Sequence, residues 1–354
     1  MKTDFAPDYR NVLAAARNER PARLPLYEHL INVPFMEKYL DTRFPNPYEG
    51  ALSDRRRFFE MYCDFFRGMG YDTVSFEMCV TGILPGGGAL GGERAGVIQT
   101  RADFDRYPWD DLPRLYWDQA GPQFEMLGRC LPEGMKAIGG VGNGVFEISE
   151  DLVGFEQLCY MQADDPELFS DLYRKIGDVL MTIWARFLER FGDRYAVCRI
   201  GDDMGFKTGT LLAPQALRDH VVPQYRRIIR QVHDSGHPFL LHSCGRIFDV
   251  MDALIEAGID AKHSNEDAIA PYDEWIRRYG DRVGLFGGID TDILCRKSPD
   301  EIYAKVLEDA ARFRATARGF ALGSGNSIPE YVSVEGYDAM IRAVRELRRR
   351  EGTP

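Results

Sequence analysis

The residues able to do chemistry in this chain fall in short polar stretches, each closing an apolar run. The sharpest is His242-Ser243-Cys244-Gly245. On an extended strand, residues i and i+2 share a face, so the His242 imidazole and the Cys244 thiol converge, and both ligate zinc when deprotonated. Spacing alone also accommodates a buried histidine beside an inert buried cysteine. Other apolar runs end in Glu28-His29, Glu77, Asp202-Asp203, His263-Ser264-Asn265-Glu266-Asp267, Asp290 and Ser324-Gly325-Asn326. A carboxylate at the end of an apolar strand loses hydration and needs a partner or a role, which favours function for Glu77. Asp290, followed by Thr291-Asp292, and either Asp202 or Asp203 could instead cap or turn the chain, and Glu147 reads as a helix cap. The dense polar loop 263–267 reads as a substrate contact, with a solvated turn as its plain alternative.

The elements that must hold these residues alternate. Candidate strands are 24–28, 73–78, 135–141, 196–202, 238–243, 259–263, 283–288 and 320–323. Between them lie helical patterns with start and stop signals. Ser53 opens 54–69, Asp165-Pro166 opens the run to 191, Pro214 opens 216–233, Gly258 ends 247–257, Ser298-Pro299 opens 300–316, and 334–350 closes the chain. Eight strand–helix units predict an α/β fold of (β/α)8 TIM-barrel type. An open dinucleotide-binding sheet would carry a Gly-rich turn after its first strand, and none follows Glu28. The whole chain, 1–354, reads as one barrel domain with an N-terminal arm (1–22) and a long insertion or lid (80–134) after the second candidate strand. That insertion carries the Gly-rich stretch 82–92, which lacks the Lys-Ser/Thr ending of a phosphate loop. In a barrel of this type the active site lies at the C-terminal strand ends, where the polar stretches fall.

Composition sets the class of partner. The 354 residues are 45% apolar, 12% aromatic and 28% charged, as in ordinary globular proteins. A formal charge of −11 argues against a nucleic-acid groove or an anionic membrane surface and leaves a small molecule as the expected substrate. Seven scattered cysteines, an odd number, suit a reducing cytoplasm rather than a disulfide framework. Neither an export signal nor a membrane span is expected, and nothing in the sequence signals an oligomeric state.

From Gly201-Asp202-Asp203 through His242-Ser243-Cys244-Gly245 to Gly287-Gly288-Ile289-Asp290, the chain resembles the uroporphyrinogen decarboxylase superfamily over nearly its whole length. The resemblance implies a (β/α)8 barrel and one of two activities: decarboxylation of a porphyrinogen, or methyl transfer by corrinoid-dependent zinc enzymes. Where the decarboxylase has Arg-Gln-Ala-Gly-Arg after its first strand, this chain has Leu24-Pro25-Leu26-Tyr27-Glu28-His29-Leu30. An octa-acid substrate needs cationic clamps, and the arginines that supply them are missing. The decarboxylase also lacks the His-x-Cys-Gly segment, so the methyltransferase-like branch is the better match.

In that branch, His-x-Cys and a distant cysteine near the last strand hold zinc. His242 and Cys244 match the first two, but the third falls at 324–326, where no cysteine stands. The resemblance thus implies zinc on His242 and Cys244; a carboxylate can complete the set, and Glu77 is expected because its strand ends in the same cavity, with Asp202, Asp203 and His263 in reserve. Their places at strand ends around one cavity give acid or base roles to Glu77, Asp202 and Asp203, and substrate contacts to Glu28, His263, Asn265, Glu266 and Asn326. The methyl would pass between a small molecule and a corrinoid protein docked over the barrel face. The alternatives are uroporphyrinogen decarboxylase or a related metal-free decarboxylase with Asp203 or Glu77 as acid, and a non-catalytic ligand-binding barrel.

Overall fold

A computed structural model describes residues 4–92, 94–266 and 268–353. Seven strands form one sheet: β1 (Thr73–Cys79), β2 (Lys136–Gly142), β3 (Tyr195–Gly201), β4 (Phe239–His242), β5 (Ala261–His263), β6 (Gly284–Ile289) and β7 (Phe320–Ser324). They pair in sequence order and all pairs are parallel. The strands are buried nearly throughout because helices cover the outer face and side chains fill the inner one, so each reads as an apolar run rather than an alternation. The α/β fold of TIM-barrel type is therefore as the sequence predicts.

The first expected strand is not one. Segment 24–28 meets β7 through a single parallel bridge, Leu26 to Leu322. Backbone bonds from Tyr27 N to Leu322 O and from Leu322 N to Pro25 O, both 2.9 Å, flank it. Pro25 offers no N–H, so the ladder cannot extend past it. The segment still packs tightly on β7: a Cβ at Gly323 would stand 1.6 Å from the Tyr27 carbonyl oxygen, so only glycine fits there.

The helices follow their capping signals. Leu52–Met69, Pro166–Phe191, Pro299–Thr316 and Val334–Arg350 start and stop within two residues of expectation. Asp165 accepts from Leu168 N, and Ser298 pairs with Glu301 in a capping box. The helix expected over 216–233 is broken by a π turn, Leu217–Val221, before Val222–Asp234. Pro223, which cannot donate to the preceding turn and would crowd it, accounts for the widening.

Two extensions seat the barrel. The N-terminal helix Arg10–Ala16 puts Val12, Ala15 and Ala16 into one cluster with the inward residues Ile138, Val197, Leu240, Ala261, Phe286 and Ala321, which plugs the N-terminal mouth. Within 80–134, the helix Leu112–Cys130 buries Tyr116, Trp117, Phe124 and Leu127 against the core. The Gly-rich stretch is fastened to the helix Val145–Val153, where Asp151 Oδ1 accepts from Gly88 N at 2.9 Å. No helix among the described residues is long and apolar enough to cross a membrane.

Candidate active and metal-binding site

With the N-terminal mouth plugged, the opposite strand ends carry the polar groups. Register places His242, the last residue of β4, beside Gly201 of β3 and His263 of β5. The chain then leaves the strand, and Cys244 turns back toward the same imidazole: Sγ lies 3.4 Å from His242 Nε2. From the end of β3, Asp203 Oδ1 reaches within 3.7 Å of that nitrogen and accepts from Cys244 N at 2.8 Å. Asp203, His242 and Cys244 thus offer three ligand atoms, all within 4.8 Å of one another. Tetrahedral zinc, with bonds of about 2.3 Å to sulfur and about 2.0–2.1 Å to nitrogen or oxygen, separates S and N by roughly 3.5 Å and N and O by roughly 3.4 Å. The observed spacings match, so this donor set fits the metal.

The protonation state of His242 fits as well. His263 Nε2 lies 3.0 Å from the Ser324 carbonyl oxygen, which can only accept, so Nε2 carries the proton. His263 Nδ1 is then a bare lone pair, and at 2.7 Å it accepts from His242 Nδ1–H. The remaining nitrogen of His242, Nε2, is left unprotonated and faces Cys244 and Asp203. This assignment follows from the hydrogen-bond network. Burial, with His263 and the Lys262 and Arg199 charges adding to it, holds His242 well below the usual histidine range, so the ring stays neutral. Burial, and then the Asp203 charge, raises the Cys244 thiol above its ordinary value, so without a metal it stays protonated.

Glu77 is committed elsewhere. Its Oε2 accepts from Arg199 Nε at 3.0 Å and from a terminal guanidinium nitrogen at 2.7 Å. Its Oε1 lies 3.7 Å from His29 Nε2. Among the described residues it joins no group that could hold a metal, whereas Asp203 does. Arg199 also donates to the Tyr27 hydroxyl and to Ser75 Oγ, and it is almost wholly buried. Sequence reasoning passed over Arg199, although a lone cation in the apolar run Val197-Cys198-Arg199-Ile200 was a usable signal. His29 was counted at a strand end but given no role. Its ring stacks on His242 with centroids 3.7 Å apart, and its Nδ1 is buried without a hydrogen-bond partner.

Several expected site residues turn out to hold the scaffold. Asp202 accepts from Phe146 N (3.1 Å), Glu147 N (2.7 Å) and the Tyr225 hydroxyl (2.8 Å). It caps the helix Val145–Val153, and a Cβ at Gly144 would collide with it. Its acid or base role is therefore set aside. Glu28 is 1% exposed and accepts from Ser324 N at 2.9 Å and from Ser324 Oγ. Burial pushes its carboxyl up to about 8, and it ties the 24–28 segment to β7 instead of facing a substrate. Asn265 is spent on β6, donating to Phe286 O (3.0 Å) and accepting from Gly288 N (3.1 Å). His263 stands behind His242, fully buried. Lys262, which the sequence did not suggest, donates to the carbonyls of Ser243 (3.0 Å) and Ser264 (2.6 Å) and so clamps the turn that carries Cys244. Asp267 lies outside the described residues.

Asn326 and Glu266 do face the opening. Asn326 Nδ2 sits 3.4 Å from Cys244 Sγ and 3.3 Å from Glu266 Oε1. Both residues line a cavity of about 410 Å³ with Lys207, Asp290 and Tyr331.

A plugged barrel-type sheet carrying imidazole, thiol and carboxylate at its C-terminal strand ends defines an α/β fold of TIM-barrel type, with its titratable and ligating groups gathered where such folds carry their sites. More specifically, the chain belongs to the uroporphyrinogen decarboxylase (URO-D) family, whose family model matches residues 9–347. Among solved structures it is similar to a methyltransferase from Methanosarcina mazei, with a TM-score of 0.69 at 15% identity, covering 95% of this chain and 98% of that one. A xylose isomerase-like TIM barrel protein from Mycobacterium smegmatis, in complex with magnesium, gives a TM-score of 0.41 at 10% identity, covering 97% and 96%. No curated protein matches the sequence.

Proposed function

We propose that this chain is a methyltransferase that holds zinc on Asp203, His242 and Cys244 and moves a methyl group between a small molecule and a corrinoid carried by a partner protein. The observation that carries the reading is the convergence of those three donors with His242 Nε2 held as a lone pair. Membership of the URO-D family and the fold shared with a methyltransferase support it. The seven cysteines are all free, which suits a reducing cytoplasm.

Zinc bound there would supply Lewis acidity, lowering the pKa of a thiol or hydroxyl acceptor or polarising the heteroatom of a methyl donor. The protein's own groups do the rest. The side chain of Asp203 is 43% exposed, so the donor set opens toward the barrel mouth. Glu266 and Asn326 orient a substrate in the adjoining cavity. Glu77 Oε1, the carboxylate oxygen not taken by Arg199, faces His29 and is placed to hold or return a proton at the substrate heteroatom. Arg199 fixes that carboxylate in place through its two bonds to Oε2.

The test is transfer of methyl groups from a panel of thioethers, ethers and amines to cob(I)alamin, followed by the cobalt absorbance. Methylcobalamin formation by the parent and its loss in Cys244→Ala are expected. Turnover of uroporphyrinogen to coproporphyrinogen without any methyl transfer would overturn the proposal in favour of the decarboxylase.

A further inference from the structure

A second cavity, of about 730 Å³, lies between the Gly-rich stretch and the helices Val145–Val153 and Phe155–Asp164. One wall is the carboxylate of Glu150. This residue is only 8% exposed, yet its side chain has no hydrogen bond or ion pair among the described residues. A buried carboxylate without a partner is costly. Burial, and then the Asp202 and Asp203 charges, push its carboxyl up to about 8. A cation entering the cavity would favour the ionised carboxylate.

Other residues lining the same cavity have the complementary character. The ten-residue helix Phe155–Asp164 begins at Gly154, which has no side chain to cap it, so the first N–H groups, those of Phe155, Glu156 and Gln157, have no partner within the helix. All three residues line the cavity, as does Arg94, a guanidinium with no ion pair among the described residues. Free N–H groups at a helix start and an unpaired guanidinium both favour an anion. The rings of Phe155 and Tyr160, 39% and 55% exposed, also line the cavity and offer faces to an alkylated ammonium, while the Glu156 carboxylate at the helix start accepts from the Tyr160 hydroxyl at 3.3 Å.

We infer that this cavity binds a small zwitterion, with its ammonium toward Glu150 and its carboxylate toward Arg94 and the start of the helix Phe155–Asp164. The site is separate from the Asp203–His242–Cys244 donor set and does not depend on the methyltransferase reading. Neither charged end alone accounts for the lining: a simple cation leaves Arg94 and the helix start unused, and a simple anion meets Glu150.

Calorimetric titration of the full chain tests this with N,N,N-trimethylglycine as the probe and tetramethylammonium and acetate as its two halves. Saturable binding of the zwitterion is expected, with each half binding at least about tenfold more weakly. Glu150→Gln, which keeps the shape and removes the charge, should weaken the zwitterion by about tenfold or more, because it takes away the charge that attracts the quaternary ammonium at short range in a partly desolvated site. Arg94→Gln, at the exposed rim where folding is not at stake, should weaken it several-fold. Bound metal should be unchanged in both variants, which separates this site from the proposed catalytic one. Absence of saturable binding at millimolar zwitterion, equal affinity for tetramethylammonium, or full affinity in both variants would overturn the inference.

Discussion

His263 stands directly behind His242, their Nδ1 atoms 2.7 Å apart, and the Ser324 carbonyl on the far side of His263 fixes which of the two carries the shared proton. Ser324 on β7 thereby sets the lone pair that His242 presents at the mouth of β4. A histidine that acts only as an outer partner of a ligand is the usual means of fixing tautomer and ring angle at metal sites.

Replacing that outer partner should leave the donors in place but weaken their grip. His263→Gln is expected to lower zinc affinity by about 10–100-fold, the range for loss of such a partner. Competition against a chromophoric chelator reads the change. Unchanged affinity would show that the relay does not set the ligand.

The donor set separates two carboxylates that sequence alone could not. Asp203→Ala should release the metal, whereas Glu77→Gln should keep it while lowering the rate of methyl transfer. Glu77→Ala should also destabilise the fold by about 3 kcal/mol or more, because it strands the buried Arg199 guanidinium. Metal content and denaturant unfolding of the three variants check this. Metal retained in Asp203→Ala and lost in Glu77→Gln would restore Glu77 as the ligand.

Glu28 makes stability depend on pH with a definite sign. Its folded pKa, raised by burial to about 8, lies above its ordinary value of 4.5, so the folded state holds a proton that the unfolded state releases. Its stabilising contribution is full below about 4.5 and is lost as pH rises through about 8. Glu28→Gln should therefore lose less stability than the parent between pH 5.5 and pH 8.5, as measured by urea midpoints. Parallel losses in the two proteins would remove Glu28 from the account.

Gly323 couples the 24–28 segment to β7. Gly323→Ala puts a methyl group onto the Tyr27 carbonyl, where the Cβ position is 1.6 Å from oxygen. The expected loss is about 3 kcal/mol or more, of the size seen when close packing is forced apart. Because His29 follows directly on that segment, methyl transfer should fall too. Wild-type unfolding midpoints in this variant would contradict the close approach.

Most of the fold was legible because helix caps and buried apolar strands are local signals: Ser298 with Glu301, Asp165 before Pro166, and the runs that became β1 through β7. Segment 24–28 misled because its composition is that of a strand, while Pro25 denies the ladder its hydrogen bond. In the site, His242 and Cys244 were readable from spacing on one strand. Asp202 and Asp203 were not separable by role, since only the placement of the helix Val145–Val153 shows that Asp202 caps it. Glu77 looked available because its partner, Arg199, lies 122 residues along the chain, on β3, two strands over in the sheet. Glu28, His263 and Asn265 were read as substrate contacts because they sit at strand ends, but their bonds to Ser324, His242 and the β6 backbone are long-range and leave no trace in local sequence.

The central claim is that Asp203, His242 and Cys244 form a metal site, and elemental analysis of protein purified without chelator tests it most directly. The account predicts about one zinc per chain, the complement of a single catalytic site. It also predicts loss of that zinc in His242→Ala and Cys244→Ala variants that keep the parent's circular dichroism. A parent without stoichiometric zinc, or zinc retained in both variants, would contradict it.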